Sequence, residues 1–305
     1  MKRNILPVLV FILLAATAQA QTGALSRTVR LKLSAGDLYS GAAAAEDYKL
    51  KTGVDAEYLD AIGWLARGAE LLRQYDVAAQ YVAELRREIK EEKAELLGPY
   101  GAAIEVEGRV LAVRKGRKAA KEFWEKEFAA AKNVGLRSRI RKNINQLWLE
   151  GQPAPELALA EYAGPQPPSL ASLKGKPVLL FLWAHWCGDC RAQAAALSRV
   201  YQKYKPQGLV LLAPTRFYGT GAQDKTATPA EEKAHIAKVW AESYAGLEGV
   251  PIPIETEMMV QYGVSATPTF VLIDRKGIVR LYMPTRLSEA ELSRRIEAVL
   301  RDAKN

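Results

Sequence analysis

The chain has 305 residues, 49% apolar and 25% charged, a globular composition with room for two domains of ordinary size. Its formal net charge of +9 suits an anionic membrane surface, an acidic protein or nucleic acid alike, and on its own it selects none of them. Its only cysteines are Cys187 and Cys190, which excludes a scaffold stapled by several disulfides.

Residues 1–20 read as a signal peptide. Lys2 and Arg3 give a positive start, Ile5 to Ala15 a short apolar core, and Ala18-Gln19-Ala20 a small-residue cleavage site. The rival is an uncleaved membrane anchor, but the apolar run is short for a span of roughly 20 residues. No cysteine adjoins the site, which excludes an anchor of the lipoprotein kind, and no later segment is apolar enough to span a bilayer. The expected product is an exported, periplasmic protein, soluble after cleavage.

Residues 21–150 are expected to form an all-α domain. Alanine and charged residues abound, β-branched residues are sparse, and apolar positions recur at three and four. Tyr58, Ile62, Leu65, Ala66, Ala69 and Leu72 mark one helix; Val77, Tyr81, Leu85 and Ile89 mark another. A break is predicted at Leu97-Gly98-Pro99-Tyr100-Gly101. Helices follow over 103–114 and 117–131, and after Asn133-Val134-Gly135 a last one runs through Leu136, Ile140, Ile144 and Leu147. A helical bundle and an array of helical hairpins both fit, although no clean period of about 34 residues stands out. The Lys- and Arg-rich stretch from Arg109 to Lys142 reads as a solvated helix face or as a docking surface for an acidic partner.

Residues 151–305 change character. Gly151-Gln152-Pro153-Ala154-Pro155 is a linker, and Gly164-Pro165-Gln166-Pro167-Pro168 is a second punctuated stretch. Pro177 to Trp183 is a continuous apolar run, as a strand buried on both faces would be. A helix is predicted from Cys190 to Tyr204 and a strand over Gly208 to Ala213. Thr228-Pro229-Ala230-Glu231 is a capping box that opens a helix through Ile236, Val239, Trp240 and Tyr244. Strands over Thr269 to Asp274 and Ile278 to Met283 flank the turn Arg275-Lys276-Gly277. Ser288-Glu289-Ala290-Glu291 caps a terminal helix. The order implies an α/β domain with a central mixed sheet flanked by helices.

In that framework Cys187 lies where a buried strand gives way to a helix. Unpaired N–H groups and the helix dipole favour negative charge there, which lowers a thiol pKa and raises the thiolate fraction. Cys190 sits one turn later on the same side, placed to attack a mixed disulfide at Cys187 and release the product. A zinc site would need four ligands, and the only other soft ligands are His185 and His235. A purely structural disulfide is the other bland reading.

The segment from Phe181 to Arg191, with Trp186-Cys187-Gly188-Asp189-Cys190 at its centre, resembles the thioredoxin active-site motif. More narrowly it resembles the TlpA/ResA group of membrane-facing bacterial thioredoxin-like proteins. Gly151 to Leu157 is similar to the entry motif of that group, and Ser169 to Pro177 to its lead-in to the active-site strand. Ala266-Thr267-Pro268-Thr269-Phe270 is similar to its cis-proline loop, and Ile273 to Gly277 to the hairpin that follows. The likeness covers 151–303.

The resemblance implies a thiol–disulfide oxidoreductase in which Cys187 attacks and Cys190 resolves. Trp186, Gly188 and Asp189 would support the pair. Pro268 would be cis, with the Thr267 backbone facing Cys187 and a substrate strand. It further implies reductive work, often in cytochrome c maturation, with electrons from a membrane donor. The partners would be exported proteins carrying thiols or disulfides. No cofactor beyond the Cys187–Cys190 disulfide, no metal and no nucleic acid are expected.

This chain also departs from the pattern. Asp189 stands where proline is common, and its carboxylate would oppose thiolate formation at Cys187. His185 could offset that charge when protonated, or serve only as an exposed spacer. The buried acid of other thioredoxins would fall at Phe181, and the glutamate frequent in this group at Gln193. Ala195 replaces a helix-kinking proline. Residues 217–262 exceed what a minimal thioredoxin needs and could shape the groove. Two other functions stay open: an interaction protein led by its helical half, and a thiol peroxidase, although Ala184 and His185 break the Thr-x-x-Cys pattern of peroxiredoxins.

Overall fold

A computed structural model describes residues 23–301; the signal-peptide expectation lies outside them. Two compact units divide between Leu136 and Arg137. Helices α1 (Ala24–Ser34), α2 (Leu38–Thr52), α3 (Ala56–Leu71), α4 (Tyr75–Glu88), α5 (Leu97–Lys115) and α6 (Arg117–Ala130) build the first unit. The starts of α2 and α3 are written in the sequence. The Asp37 carboxylate accepts the Ser40 N–H at 2.9 Å, and that of Asp55 the Tyr58 N–H at 2.8 Å.

α3 packs against α1, α2, α4 and α5. Its buried face, Tyr58, Ile62, Leu65, Ala66 and Ala69, lies at the centre of the unit's apolar core. In a solenoid each pair would touch only its neighbours, so the arrangement is a bundle. The predicted break at 97–101 is instead the first turn of α5. Pro99 is tolerated there because first-turn N–H groups have no partner in the helix. Many basic side chains of the Arg109–Lys142 stretch are engaged: Arg109 binds Glu70 at 3.3 Å and Glu105 at 3.0 Å, and Arg114 binds Asp76.

Helix α7 (Val134–Trp148) lies almost wholly in the second unit, so that unit begins earlier than the linker at 151 suggests. Several contacts hold it. The Arg137 guanidinium grips Glu257 at 2.8 and 3.1 Å, and Asn145 Nδ2 donates to the Gln261 carbonyl at 3.0 Å. Gly263, at φ +65°, lets the α7 backbone in so closely that a Cβ would sit 2.5 Å from the Lys142 nitrogen.

The second unit continues with β1 (Tyr162–Ala163), β2 (Val178–Leu182), α8 (Gly188–Tyr204), β3 (Val210–Leu212), α9 (Pro229–Ser243) and β4 (Ile252–Pro253). It closes with α10 (Thr256–Gln261), β5 (Thr269–Ile273), β6 (Val279–Met283) and α11 (Glu289–Arg301). The main sheet has the order β3-β2-β5-β6, with β2 parallel to β3 and antiparallel to β5. β1 and β4 form a small antiparallel pair. Strand alternation sends Leu179 and Phe181 into one apolar cluster, and Val178, Leu180 and Leu182 into another. That double burial is why β2 reads as an unbroken apolar run. No helix among the described residues is long and apolar enough to cross a membrane.

Asp274 closes the β5–β6 hairpin. Its carboxylate accepts the N–H groups of Lys276 and Ile278 at 2.8 and 2.9 Å and the Arg280 guanidinium at 2.8 Å. Partial burial pushes its pKa up, but the Ile278, Arg280 and Lys276 donors outweigh that and hold it below the ordinary value. Asp274→Ala is expected to cost about 1–3 kcal/mol in urea unfolding at neutral pH. The folded pKa is lowered, so this stability is complete above the ordinary range near 4 and fades as the pH falls through the lowered value. Wild type and variant should therefore converge in acid; a constant difference down to pH 2 would contradict the assignment.

Candidate active site

The turn from β2 to α8 is fixed at its start by Trp183. Its N–H donates to the Pro214 carbonyl at 3.1 Å and its indole Nε1 to the Ala213 carbonyl at 3.0 Å, while Thr215 Oγ1 donates to the Trp183 carbonyl at 2.8 Å. Four residues on, Cys187 is the N-cap of α8, and its Sγ accepts the Cys190 N–H at 3.0 Å. A sulfur that accepts an N–H at a helix N-terminus is a sulfur on which negative charge is favoured. The two cysteines are joined as a disulfide, with Cα atoms 5.2 Å apart. Cys187 retains 4% of its surface and Cys190 none, so an incoming sulfur meets Cys187 first.

The facing loop comes from the end of the sheet. The Thr267–Pro268 peptide is cis, and the Thr267 carbonyl oxygen lies 3.5 Å from Cys187 Sγ. Thr269 Oγ1 donates to the Ala266 carbonyl at 2.8 Å and steadies the loop, while Ser265 and Ala266 stay exposed. The structure thus brings Cys187, Cys190, Thr267 and Pro268 together. Trp186 stands beside them, 48% exposed, its ring edge-on to Tyr218 at 5.3 Å. Gly188 is exposed, with open space where a Cβ would go, so the first turn of α8 does not require glycine for room.

The residues expected to tune the pair sit differently. Asp189 points into solvent and meets Arg286 Nε at 3.5 Å, so water, salt and a guanidinium weaken its effect on Cys187. Phe181 is sealed among Phe270, Tyr244 and Trp240. Gln193 is buried, and its amide makes a paired bond with the Leu287 backbone, donating at 2.9 Å and accepting at 3.1 Å. It fastens α8 to the approach to α11 and carries no carboxyl. Ala195 lies in α8 without interrupting it.

His185 is no exposed spacer. It is 2% exposed, and its Nε2 lies 3.1 Å from Glu232 Oε1. Glu232 is equally buried and also accepts the N–H groups of Tyr218 at 2.6 Å and Gly219 at 2.8 Å. The sequence reading missed Glu232 and Tyr218. The one signal was position: Glu232 follows directly on the capping box that starts α9, where a carboxylate suits the helix N-terminus. Burial pushes the Tyr218 phenol pKa up, with Arg216 pulling the other way from 4.4 Å over its ring.

Sheet order, helix-capping disulfide and cis-proline loop define the class: thioredoxin-like thiol–disulfide oxidoreductases. Residues 149–284 match the family model for Redoxin. The chain is 27% identical over 149 residues to the thioredoxin-like protein YneN of Bacillus subtilis, covering 48% of this chain and 79% of that one. It is 26% identical over 149 residues to the thiol-disulfide oxidoreductase ResA of Geobacillus kaustophilus, covering 49% and 77%. A thiol:disulfide interchange protein from Chlorobium tepidum aligns in structure over 49% of this chain and 97% of its own, at 19% identity and a TM-score of 0.38. The resemblance read from the motifs is borne out for this half.

Proposed function

We propose that the protein is an exported thiol–disulfide oxidoreductase that reduces disulfides in other exported proteins, with Cys187–Cys190 as its only redox centre. The observation that carries this is the placement of Cys187 Sγ, held by the Cys190 N–H on one side and faced by the Thr267 carbonyl on the other. In the reduced enzyme the Cys187 thiolate attacks a substrate disulfide, forming one S–S bond and expelling one substrate thiolate. Cys190 then loses its proton and attacks the Cys187 sulfur. The Cys187–Cys190 bond forms, the second substrate thiol leaves, and two electrons have passed to the substrate. A membrane dithiol returns them. The signal-like residues 1–20 support export, and the likeness to thiol-disulfide oxidoreductases supports the exchange chemistry.

Insulin-disulfide reduction by wild type and Cys187→Ala tests the chemistry. The variant is expected to be inactive, and equal activity would sink the reading. Direction is tested by the reduction potential of the couple. A value near about −270 mV supports a reductant, and one near about −120 mV makes the protein an oxidant.

A further inference from the structure

We propose that Glu232 is a positioning residue that holds the Arg216–Gly219 segment as one wall of the substrate groove beside Cys187. The proposal rests on the oxidoreductase reading and adds to it a determinant of protein-substrate recognition. Glu232 lies in the first turn of α9, whose start is locked by the reciprocal bonds of Thr228 and Glu231. Its carboxylate therefore has a rigid base. From there it reaches two things at once. Oε1 and Oε2 take the N–H groups of Tyr218 and Gly219, and Oε1 also meets His185 Nε2. His185 is two residues from Cys187, and its carbonyl accepts Arg191 Nη1 at 2.9 Å.

One buried carboxylate thus ties the turn before Cys187 to the loop after β3. What that loop carries is the Tyr218 ring, set edge-on against the half-exposed Trp186. Behind the attachment the loop closes on itself, with the Gly221 N–H on the Lys225 carbonyl at 2.8 Å and the Ala227 N–H on that of Gly219 at 3.1 Å. A carboxylate only 1% exposed, with both oxygens committed to two successive backbone N–H groups, is costly unless the shape it fixes is needed. The shape here is a wall beside the sulfur that substrates meet first.

Glu232→Gln keeps the volume and one acceptor oxygen, but its amide nitrogen cannot accept a backbone N–H. The loop is then released on one side. The test is kinetic. With insulin as the disulfide substrate, Glu232→Gln should raise KM about tenfold, as loss of a charge-assisted acceptor does, with kcat within about twofold of wild type. With the small disulfide 5,5′-dithiobis(2-nitrobenzoate), and in the reduction potential of the couple, the variant should match wild type. A residue that only supported folding would lower the active fraction, and so kcat, for both substrates. Tyr218→Ala removes the ring without touching the buried carboxylate and should reproduce the KM effect even if Glu232→Gln folds poorly. An unchanged KM for insulin in Tyr218→Ala, or equal losses with both disulfides, would overturn the proposal. Wild type with no Cys187-dependent activity would instead overturn the oxidoreductase reading, so the two failures are distinguishable.

Discussion

A Cys190→Ser variant is expected to convert turnover into capture. Cys187 keeps its place at the N-terminus of α8, and the backbone N–H of residue 190 still points at its sulfur. The first attack on a substrate disulfide therefore proceeds. The second cannot, because a serine hydroxyl does not displace a thiolate from sulfur at neutral pH. In the wild type the resolving sulfur is one helical turn away, with Cα atoms 5.2 Å apart, and this proximity makes release fast. Removing it should lower multiple-turnover insulin reduction by about 10³-fold or more, in line with the effective molarities of well-placed intramolecular groups. A mixed disulfide should accumulate, visible by mass spectrometry without reductant and dispersed by dithiothreitol. Cys187→Ser should give no adduct at all. An adduct formed by Cys187→Ser but not by Cys190→Ser would reverse the two roles.

The parts of this site that could be read in the sequence are those fixed by neighbours along the chain. The pair Cys187 and Cys190, the capping position and the apolar run of β2 are local, and each declares itself in a few residues. Pro268 was legible through its own short motif. Contacts across the chain were not. Nothing local says that Asp189 meets Arg286, or that Gln193 binds the backbone of Leu287, or that His185 is buried against Glu232. A histidine before a Trp-Cys motif reads as exposed until the α9 insertion is seen to cover it. In the helical unit the periodicity was right but punctuation misled. Gly98 and Pro99 look like a loop, yet proline is at home in a first helical turn. The placement of α7 hangs on Arg137, Asn145 and the bare backbone of Gly263, and glycine carries no pattern that predicts a close approach.

Phe181→Asp would install a carboxyl where other thioredoxins carry a buried acid, and it is expected to unfold the domain rather than create a proton relay. Phe181 is fully buried, with ring centroids of Phe270, Tyr244 and Trp240 at 5.3, 5.9 and 6.5 Å. Removing a packed phenyl costs about 3–5 kcal/mol. A carboxyl left among aromatic rings adds several more, since the rings offer it no hydrogen bond and charge is worse. The sum rivals the roughly 5–15 kcal/mol that holds an ordinary domain together. Phe181→Leu, which keeps an apolar side chain of similar bulk, should cost about 1–2 kcal/mol and leave insulin reduction intact. Urea unfolding followed by far-ultraviolet circular dichroism separates the two variants. A folded Phe181→Asp protein with near-native stability would mean that water or a polar partner reaches this cavity, and the aromatic seal would have to be abandoned. With Phe181 sealed and Gln193 committed to Leu287, neither position offers the Cys190 proton a buried carboxyl.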